Sequence, residues 1–429
     1  MINVAVIGFG TVGSGTVKVL LQNSELIKER TGLDIRLKWI ADLDIEKDRG
    51  VKLPEGVLTT DAYKAIDDPE VNIVVELIGG KTKAKELILR ALRNGKNVVT
   101  ANKALLAEDG YELFKEAYIQ SRELGFEAAV AGGIPIIKVL KEGLVANNII
   151  AAYGIINGTS NYILSKMTKD KIDFNTALAE AQVLGYAEQD PTYDIEGIDT
   201  AHKLTLMATL VYGIPLYYNE VYKEGITGIT PEDITYAHEL GYKIKLLAIT
   251  KMIDGEIELR VHPTMIPDNY LISRVEGVFN AIYIRGDAVG DTLYYGRGAG
   301  DLPTGSAVVS DIIDIAKVCS NGKSYAVRMD NKAYKIKKIE DILAMYYFRF
   351  SALDKPGVLS KISGILGEHD ISISAVIQKE RRKGEAVPVI VLTHLAREKN
   401  VLEAIATIDK LPVITTKTHF IRVENQSIG

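Results

Sequence analysis

The chain has one cysteine, Cys319, in 429 residues. No disulfide can form within it, and that usage fits a reducing compartment. No apolar run is long enough to span a bilayer, and the opening "MINVAVIGFG" has neither the basic stretch nor the cleavage region of a signal peptide. A cytoplasmic protein without a membrane partner is expected. Basic residues are not in surplus: 51 Lys and Arg stand against 56 Asp and Glu, a net charge of -5, and they are scattered instead of gathered in a stripe. This argues against nucleic acid and for a small-molecule partner. No paired His or Cys spacing suggests zinc, and no segment is of low complexity. What is present is length and apolar content enough for two or three domains.

The first third alternates strands with helices. "INVAVIG" reads as a buried strand that ends at glycine, with a helix from about 12 to 29 after it. "DIRLKWIAD", "NIVVELIGG", "KNVVTANK" and "FEAAVAG" are further strands, interleaved with helices at "TKAKELILRALRNG" and about 111 to 123. Crossovers of this kind imply an α/β fold, a doubly wound parallel sheet of the Rossmann type. After Gly133 the texture becomes mixed α+β, with helices near 160–169, 174–184 and 198–212. The strands "IIAAYGIING", "YKIKLLAITKMI", "EIELRVHPTMI", "VFNAIYIRG" and "AVGDTLYYG" suggest an antiparallel sheet that buries one face and dimerises through the other. The tail repeats strand, helix, strand, strand, helix, strand, a ferredoxin-like module. The expected domains are 1–133, completed by a helix at about 302–320, then 134–301, a linker 321–345 and the module 346–429.

Gly8, Gly10 and Gly13 in "GFGTVG" follow a strand and open a helix, the context in which this spacing binds a dinucleotide. At the end of the second strand an acid, Asp42 or Asp44, can accept from both ribose hydroxyls and would repel a 2'-phosphate, so NAD is favoured over NADP. Lys47 and Arg49 stand just beyond and could receive that phosphate. Thr100 and Lys103 in "TANK" fall at the carboxyl end of a parallel strand, where ligands of open α/β sheets bind. The stretch "GYAEQDPTYDIEGIDTAHK" gathers Glu188, Asp190, Asp194, Glu196 and Asp199 before Lys203. A solvated acidic loop is one reading. The other starts from Asp199 and Lys203, four apart on one helix face and so able to pair and pass a proton. His202 between them points elsewhere and reads as a structural or surface histidine.

"GFGTVG", "VVELIGG", "TANKALLA", "FEAAVAGGIPII", "NGTSNYIL" and the acidic stretch resemble, in order, the motifs of the homoserine dehydrogenase family across about residues 1 to 320. "ALDKPGVLSKISGILGEHDISI" is similar to an ACT domain, a module that binds small effectors, often amino acids, between paired copies. The resemblance implies NAD(P)-dependent interconversion of L-homoserine and L-aspartate 4-semialdehyde in amino-acid biosynthesis. It implies Lys203 as proton donor and acceptor, Lys103 as a second essential lysine near nicotinamide and substrate, Glu188 and Asp199 as substrate-binding carboxylates and Asp194 as a supporting acid. Phe9, Thr11, Val12, Gly185 and Gly300 match cofactor positions. A monovalent cation, sodium, is implied on the Glu127 side chain and the carbonyls of Val130, Gly132 and Ile134. A homodimer or higher oligomer and an amino-acid effector at the ACT domain complete the expectation. Ala41 stands where NADP-preferring members tend to carry a basic residue, and Asp370 where an asparagine is common in amino-acid-binding ACT domains. A sister enzyme using a thioester would need a cysteine, and the sole candidate, Cys319, falls near the end of an apolar-faced helix, which rejects that reading. The rival that remains is a catalytically silent sensor of NAD and an amino acid.

Overall fold

A computed structural model describes residues 1–321, 334–379 and 385–424, so the expected linker 321–345 lies partly outside the described residues. By internal packing the chain forms two compact units. One comprises Met1–Gly158, Asp199–Val221 and Val278–Ala333, the other Thr159–Ile198, Tyr222–Gly277 and Tyr334–Gly429.

The first unit holds a six-stranded parallel sheet in the order β3-β2-β1-β4-β5-β6. Its strands are β1 (Ile2–Ile7), β2 (Ile35–Ala41), β3 (Leu58–Thr59), β4 (Ile73–Glu76), β5 (Asn97–Thr100) and β6 (Leu124–Gly125). Val4, Val6, Ile73 and Val75 are fully buried, as strands covered on both faces require. The chain winds outward from β1 in one direction and from β4 in the other. The crevice past their carboxyl ends is thus the topological switch point. The helices are α1 (Thr11–Gln22), α2 (Ser24–Thr31), α3 (Ala62–Asp67), α4 (Thr82–Arg93) and α5 (Lys103–Ile119).

Three local expectations differ from this. The helix expected over 12–29 is two, broken at Asn23. The helix expected from 111 starts at Lys103, because the Asn102 side chain accepts the Leu105 N–H at 3.2 Å and caps it there. In "FEAAVAG" no strand forms: the chain enters a single 3-10 turn at Glu127–Ala129, then reverses through Ala131 (φ 55) and Gly132 (φ 53). The helix Asp301–Asn321 crosses α1 with backbones touching. A Cβ on Gly15 would sit 2.1 Å from the Asp301 carbonyl oxygen, so only glycine permits the crossing. Val308, Ile312 and Ala316 thereby join Val4, Val17 and Val75 in one core. Strand Phe279–Gly286 lies between Ile149–Ile155 and Gly290–Arg297, antiparallel to both.

The second unit is organised by a hairpin of two twelve-residue strands, Tyr242–Ile253 and Glu256–Pro267. Asp254 (φ 53) and Gly255 (φ 77) make its two-residue turn, a pairing that suits the twist of the strands. The C-terminal strands Leu343–Leu353, Ile373–Ile377, Ala386–Thr393 and His419–Val423 form the expected ferredoxin-like sheet. Helices Val358–Glu368 and Glu398–Ile408 supply its core with Val358, Ile362, Val401 and Ile408. Strand His419–Val423 also pairs, parallel, with the hairpin, Thr264 opposite Arg422 and Met265 opposite Val423. The module is therefore continuous with the hairpin's sheet. Among the described residues no helix is long and apolar enough to cross a membrane.

Candidate active site

The glycine turn after β1 has the shape its sequence requires. Gly8 takes φ +98, and a Cβ there would stand 2.7 Å from the carbonyl carbon of Leu77. One on Gly13 would stand 2.1 Å from the Gly8 oxygen. Gly10, in contrast, has no heavy atom within 4 Å of such a Cβ. The two crowded glycines close the turn, and the open one leaves backbone exposed where a pyrophosphate would approach. Thr11 and Val12 begin α1, whose N-cap has no side-chain hydrogen bond, so its first amides are oriented for an anion. Asp42, one residue past β2, accepts the Phe9 N–H at 2.5 Å and the Asp44 N–H at 2.9 Å. Arg49 reaches the same carboxylate at 3.4 Å and lies over the Phe9 ring, 5.2 Å from its centroid. Gly300 (φ +124) precedes the helix that crosses α1.

The carboxyl ends of β4 and β5 are tied by Glu76. This buried acid accepts from the Thr100 hydroxyl at 2.6 Å and from the N–H groups of Ile78 and Gly79 at 2.9 and 3.2 Å. Burial raises its pKa, against the pull of those hydrogen bonds. Asn102 donates to the Gly80 carbonyl at 2.6 Å, which holds the start of α5 beside the β4–α4 turn.

Lys103 opens α5, and its Nζ lies 3.1 Å from Asp199 Oδ1. Lys203 Nζ donates to Asp199 Oδ2 at 2.6 Å and to the Ile156 carbonyl at 2.7 Å. Asn157, following strand Ile149–Ile155, donates to the same Oδ2 at 2.8 Å. Asp199 is buried, which alone would raise its pKa, but the two ammonium groups and these hydrogen bonds outweigh that and hold it below the usual carboxylate range. Lys203 is nearly buried, whereas the Lys103 side chain is 38% exposed. One lysine is thus fixed on two acceptors and the other is within reach of solvent.

The structure brings Lys103, Asp199 and Lys203 together. Glu188, Asp194 and Gly185 belong to the second unit: Glu188 is exposed, Asp194 lies in the short helix Thr192–Ile195 with its carbonyl accepting from Ser160 at 2.8 Å, and Gly185 (φ 73) ends helix Phe174–Val183. Sequence reasoning misses Asn157 and Glu76 as site residues, although they stand in "NGTSNYIL" and "VVELIGG". A polar residue directly ending a buried apolar strand was the signal available for both.

In the Glu127 segment both carboxylate oxygens accept backbone amides, from Ile137 and Lys138, each at 2.8 Å. The Glu127 N–H donates to Asp311 on the crossing helix at 2.8 Å. Burial pushes Glu127 up to about 7, and burial with the nearby Glu127 charge pushes Asp311 up to about 8. The Ile134 carbonyl accepts from Ile136 at 2.7 Å, and the Glu127 carbonyl accepts from Val130 at 3.3 Å. Two desolvated acids beside a reversed backbone fit a bound cation, since carboxylate oxygens keep further lone pairs. No cluster of three His, Cys, Asp or Glu that could hold a metal occurs among the described residues. Cys319 Sγ accepts from Asn97 at 3.2 Å, at the amino end of β5. The thiol is thus at the wrong end of the sheet for a ligand at the switch point.

A dinucleotide turn with a lysine–carboxylate cluster on the same unit defines the class: an NAD(P)-dependent oxidoreductase. Comparison with known proteins narrows it. Residues 8–127 match the family profile for the homoserine dehydrogenase NAD binding domain, 135–313 that for homoserine dehydrogenase and 346–412 that for the ACT domain. Homoserine dehydrogenase of Neisseria gonorrhoeae is 46% identical over 99% of both chains. The crystal structure of the Thiobacillus denitrificans enzyme superposes with a TM-score of 0.94 at 49% identity, covering 99% of this chain and 98% of that one. A Staphylococcus aureus homoserine dehydrogenase structure gives 0.77 at 33%, covering 99% of each. The chain belongs to the homoserine dehydrogenase family, and its reaction is the interconversion of L-homoserine and L-aspartate 4-semialdehyde.

Proposed function

We propose that Lys203 is the proton donor and acceptor of this reaction, with Asp199 and Lys103 setting the charge around it. The observation that carries the reading is the shared carboxylate: two lysines from separate helices, 2.6 and 3.1 Å from the two oxygens of Asp199. The nicotinamide, when bound, supplies or takes the hydride at the terminal carbon of the substrate. Lys203 then gives a proton to the oxygen as aldehyde becomes alcohol, and takes it back in the reverse direction. Its ammonium form also stabilises the developing alkoxide. Lys103, exposed enough to meet a ligand, steadies the substrate near the ring. Glu188 and Asp199 are the substrate-binding carboxylates, with Asp194 a supporting acid.

The coenzyme would be held by Gly8, Phe9, Gly10, Thr11, Val12 and Gly13, with Thr100, Lys103, Gly185 and Gly300 as further cofactor positions. NAD is favoured by the Asp42 carboxylate, which would repel a 2'-phosphate. Sodium would be held by Glu127 and the carbonyls of Val130, Gly132 and Ile134, neutralising the buried acids there. Residues 1–133 act as the nucleotide domain with the helix at about 302–320, 134–301 as the substrate and dimerisation domain, and 346–429 as an effector-binding module after the linker 321–345. The enzyme works as a homodimer or larger assembly in the cytoplasm. Initial rates with L-homoserine and each coenzyme test the reading. Wild type is expected to turn over with a lower KM for NAD than for NADP, and Lys203→Ala to lose about 10²- to 10⁴-fold in kcat. A Lys203→Ala enzyme with undiminished kcat would exclude the proton role.

A further inference from the structure

The chemistry above makes no use of His202, the neighbour of Lys203 on its helix. It is not a surface residue: its exposure is 1%, and its ring stacks on Tyr218 with centroids 4.5 Å apart. Its Nε2 lies 2.8 Å from Glu108 Oε1. Glu108 is carried by α5, the helix that starts with Lys103, and its other oxygen pairs with Lys81 at the start of α4. The helix bearing Asp199, His202 and Lys203 is therefore joined to α5 at two levels. One is the Lys103–Asp199 pair and the other is Glu108–His202. Residues 199 and 202 are three apart, so they face the same side. A partly exposed lysine on four rotatable bonds is a weak tether by itself. A buried aromatic ring hydrogen-bonded to a carboxylate holds the spacing of two helices far more firmly.

We propose that His202 and Glu108 are positioning residues, fixing the two lysine-bearing helices so that Lys103 and Lys203 meet on one carboxylate. The proposal rests on the reading of Lys203 given above. The groups facing His202 are Glu108 and Lys103 on α5, Asp199 on its own helix and the ring of Tyr218, and Lys81, the residue before α4, stands behind Glu108. Burial lowers the His202 pKa, with Glu108 and Asp199 pulling it up and Lys103 down. At neutral pH the ring is uncharged and its Nε2–H donates to Glu108. Protonation in acid adds a third cation beside the two lysines, so His202 also contributes to the acid limb of the rate profile.

The test is a set of kcat–pH profiles of the full chain with L-homoserine and NAD for His202→Ala, His202→Gln, Glu108→Gln and Lys203→Ala. Removing the tether in His202→Ala is expected to lower kcat about 10- to 100-fold, the cost of a small misplacement, with the KM for NAD unmoved. His202→Gln keeps an N–H where Nε2 was and cannot titrate. It is expected to restore most of kcat at pH 8 and to shift the acid limb to lower pH. A His202→Ala enzyme with wild-type kcat and limb overturns the proposal, and so does a His202→Gln enzyme as slow as His202→Ala. Should His202→Ala fail to fold, Glu108→Gln carries the same test: a lower kcat at unchanged coenzyme KM supports the proposal and wild-type behaviour overturns it. An active Lys203→Ala enzyme sinks the reading of the site itself. An inactive one beside unaffected His202 and Glu108 variants sinks this inference alone.

Discussion

Two of the clusters of buried charge among the described residues are built differently. Around Asp199 two ammonium groups share one carboxylate, and one of them remains 38% exposed. In the other compact unit two buried guanidiniums, those of Arg260 and Arg422, have two carboxylates each. Arg260 pairs with Glu258 at 3.0 Å and with Glu424, whose second oxygen takes Lys251 at 2.7 Å. Arg422 pairs with Glu398 and, at 2.7 Å, with Glu224. Arg260 and Arg422 are each 1% exposed, and Tyr346 adds its hydroxyl to Glu398 at 2.7 Å. This second cluster, with Glu224 at its partly exposed edge, stitches the ACT module's last strand to the hairpin. Buried charge matched by opposite charge fixes structure, whereas buried ammonium in excess of carboxylate suits a site that must receive an oxygen from outside.

The comparison breaks if the two clusters respond alike to loss of a charge. Asp199→Asn keeps the shape and removes the charge between the lysines, and is expected to cost about 10²-fold or more in kcat. Arg422→Ala strands Glu398 without its partner and is expected to cost about 3–5 kcal/mol of stability in urea unfolding, the usual penalty for halving a buried pair, while the molecules that remain folded keep their kcat. A third effect is smaller and depends on pH. Burial pushes Glu127 and Asp311 up to about 7 and 8 in the folded chain, above their unfolded values, so their contribution to stability is fully present below the unfolded carboxylate range at about 4 and is lost progressively as pH rises from there to about 7 and 8. Sodium chloride is therefore expected to raise the thermal midpoint more at pH 8 than at pH 5, relative to choline chloride. Equal gains at both would remove the cation from that segment. The smallest expected change is in coenzyme choice. Asp42→Asn should narrow the ratio of NAD to NADP efficiency by a few fold, read from kcat/KM, since Arg49 at 3.4 Å is then released toward a 2'-phosphate.

Much of this was legible in the residues because it is local. "GFGTVG" after a β-branched run specifies a turn in which Gly8 and Gly13 have no room for a side chain. Asp199 and Lys203 are a helical turn apart, so their pairing could be read from spacing alone. The misreadings were local too: "TANK" has Asn102 as a helix cap, and "FEAAVAG" has strand composition but a glutamate whose carboxylate is needed by the amides of Ile137 and Lys138. Composition alone does not say which amide will claim a side-chain oxygen.

By itself, then, the sequence determined the glycine turn, the order of strands and helices and the face shared by Asp199 and Lys203, since each depends on residues within a turn or two of one another. Only the tertiary structure decided that Lys103 would reach the other oxygen of that acid, that Glu108 would meet His202 across 94 residues, and that Arg422 would lie between Glu398 and Glu224. The physical reason is that a charge chooses its partner by where packing brings it and how much water packing removes, and neither quantity is written in sequence spacing.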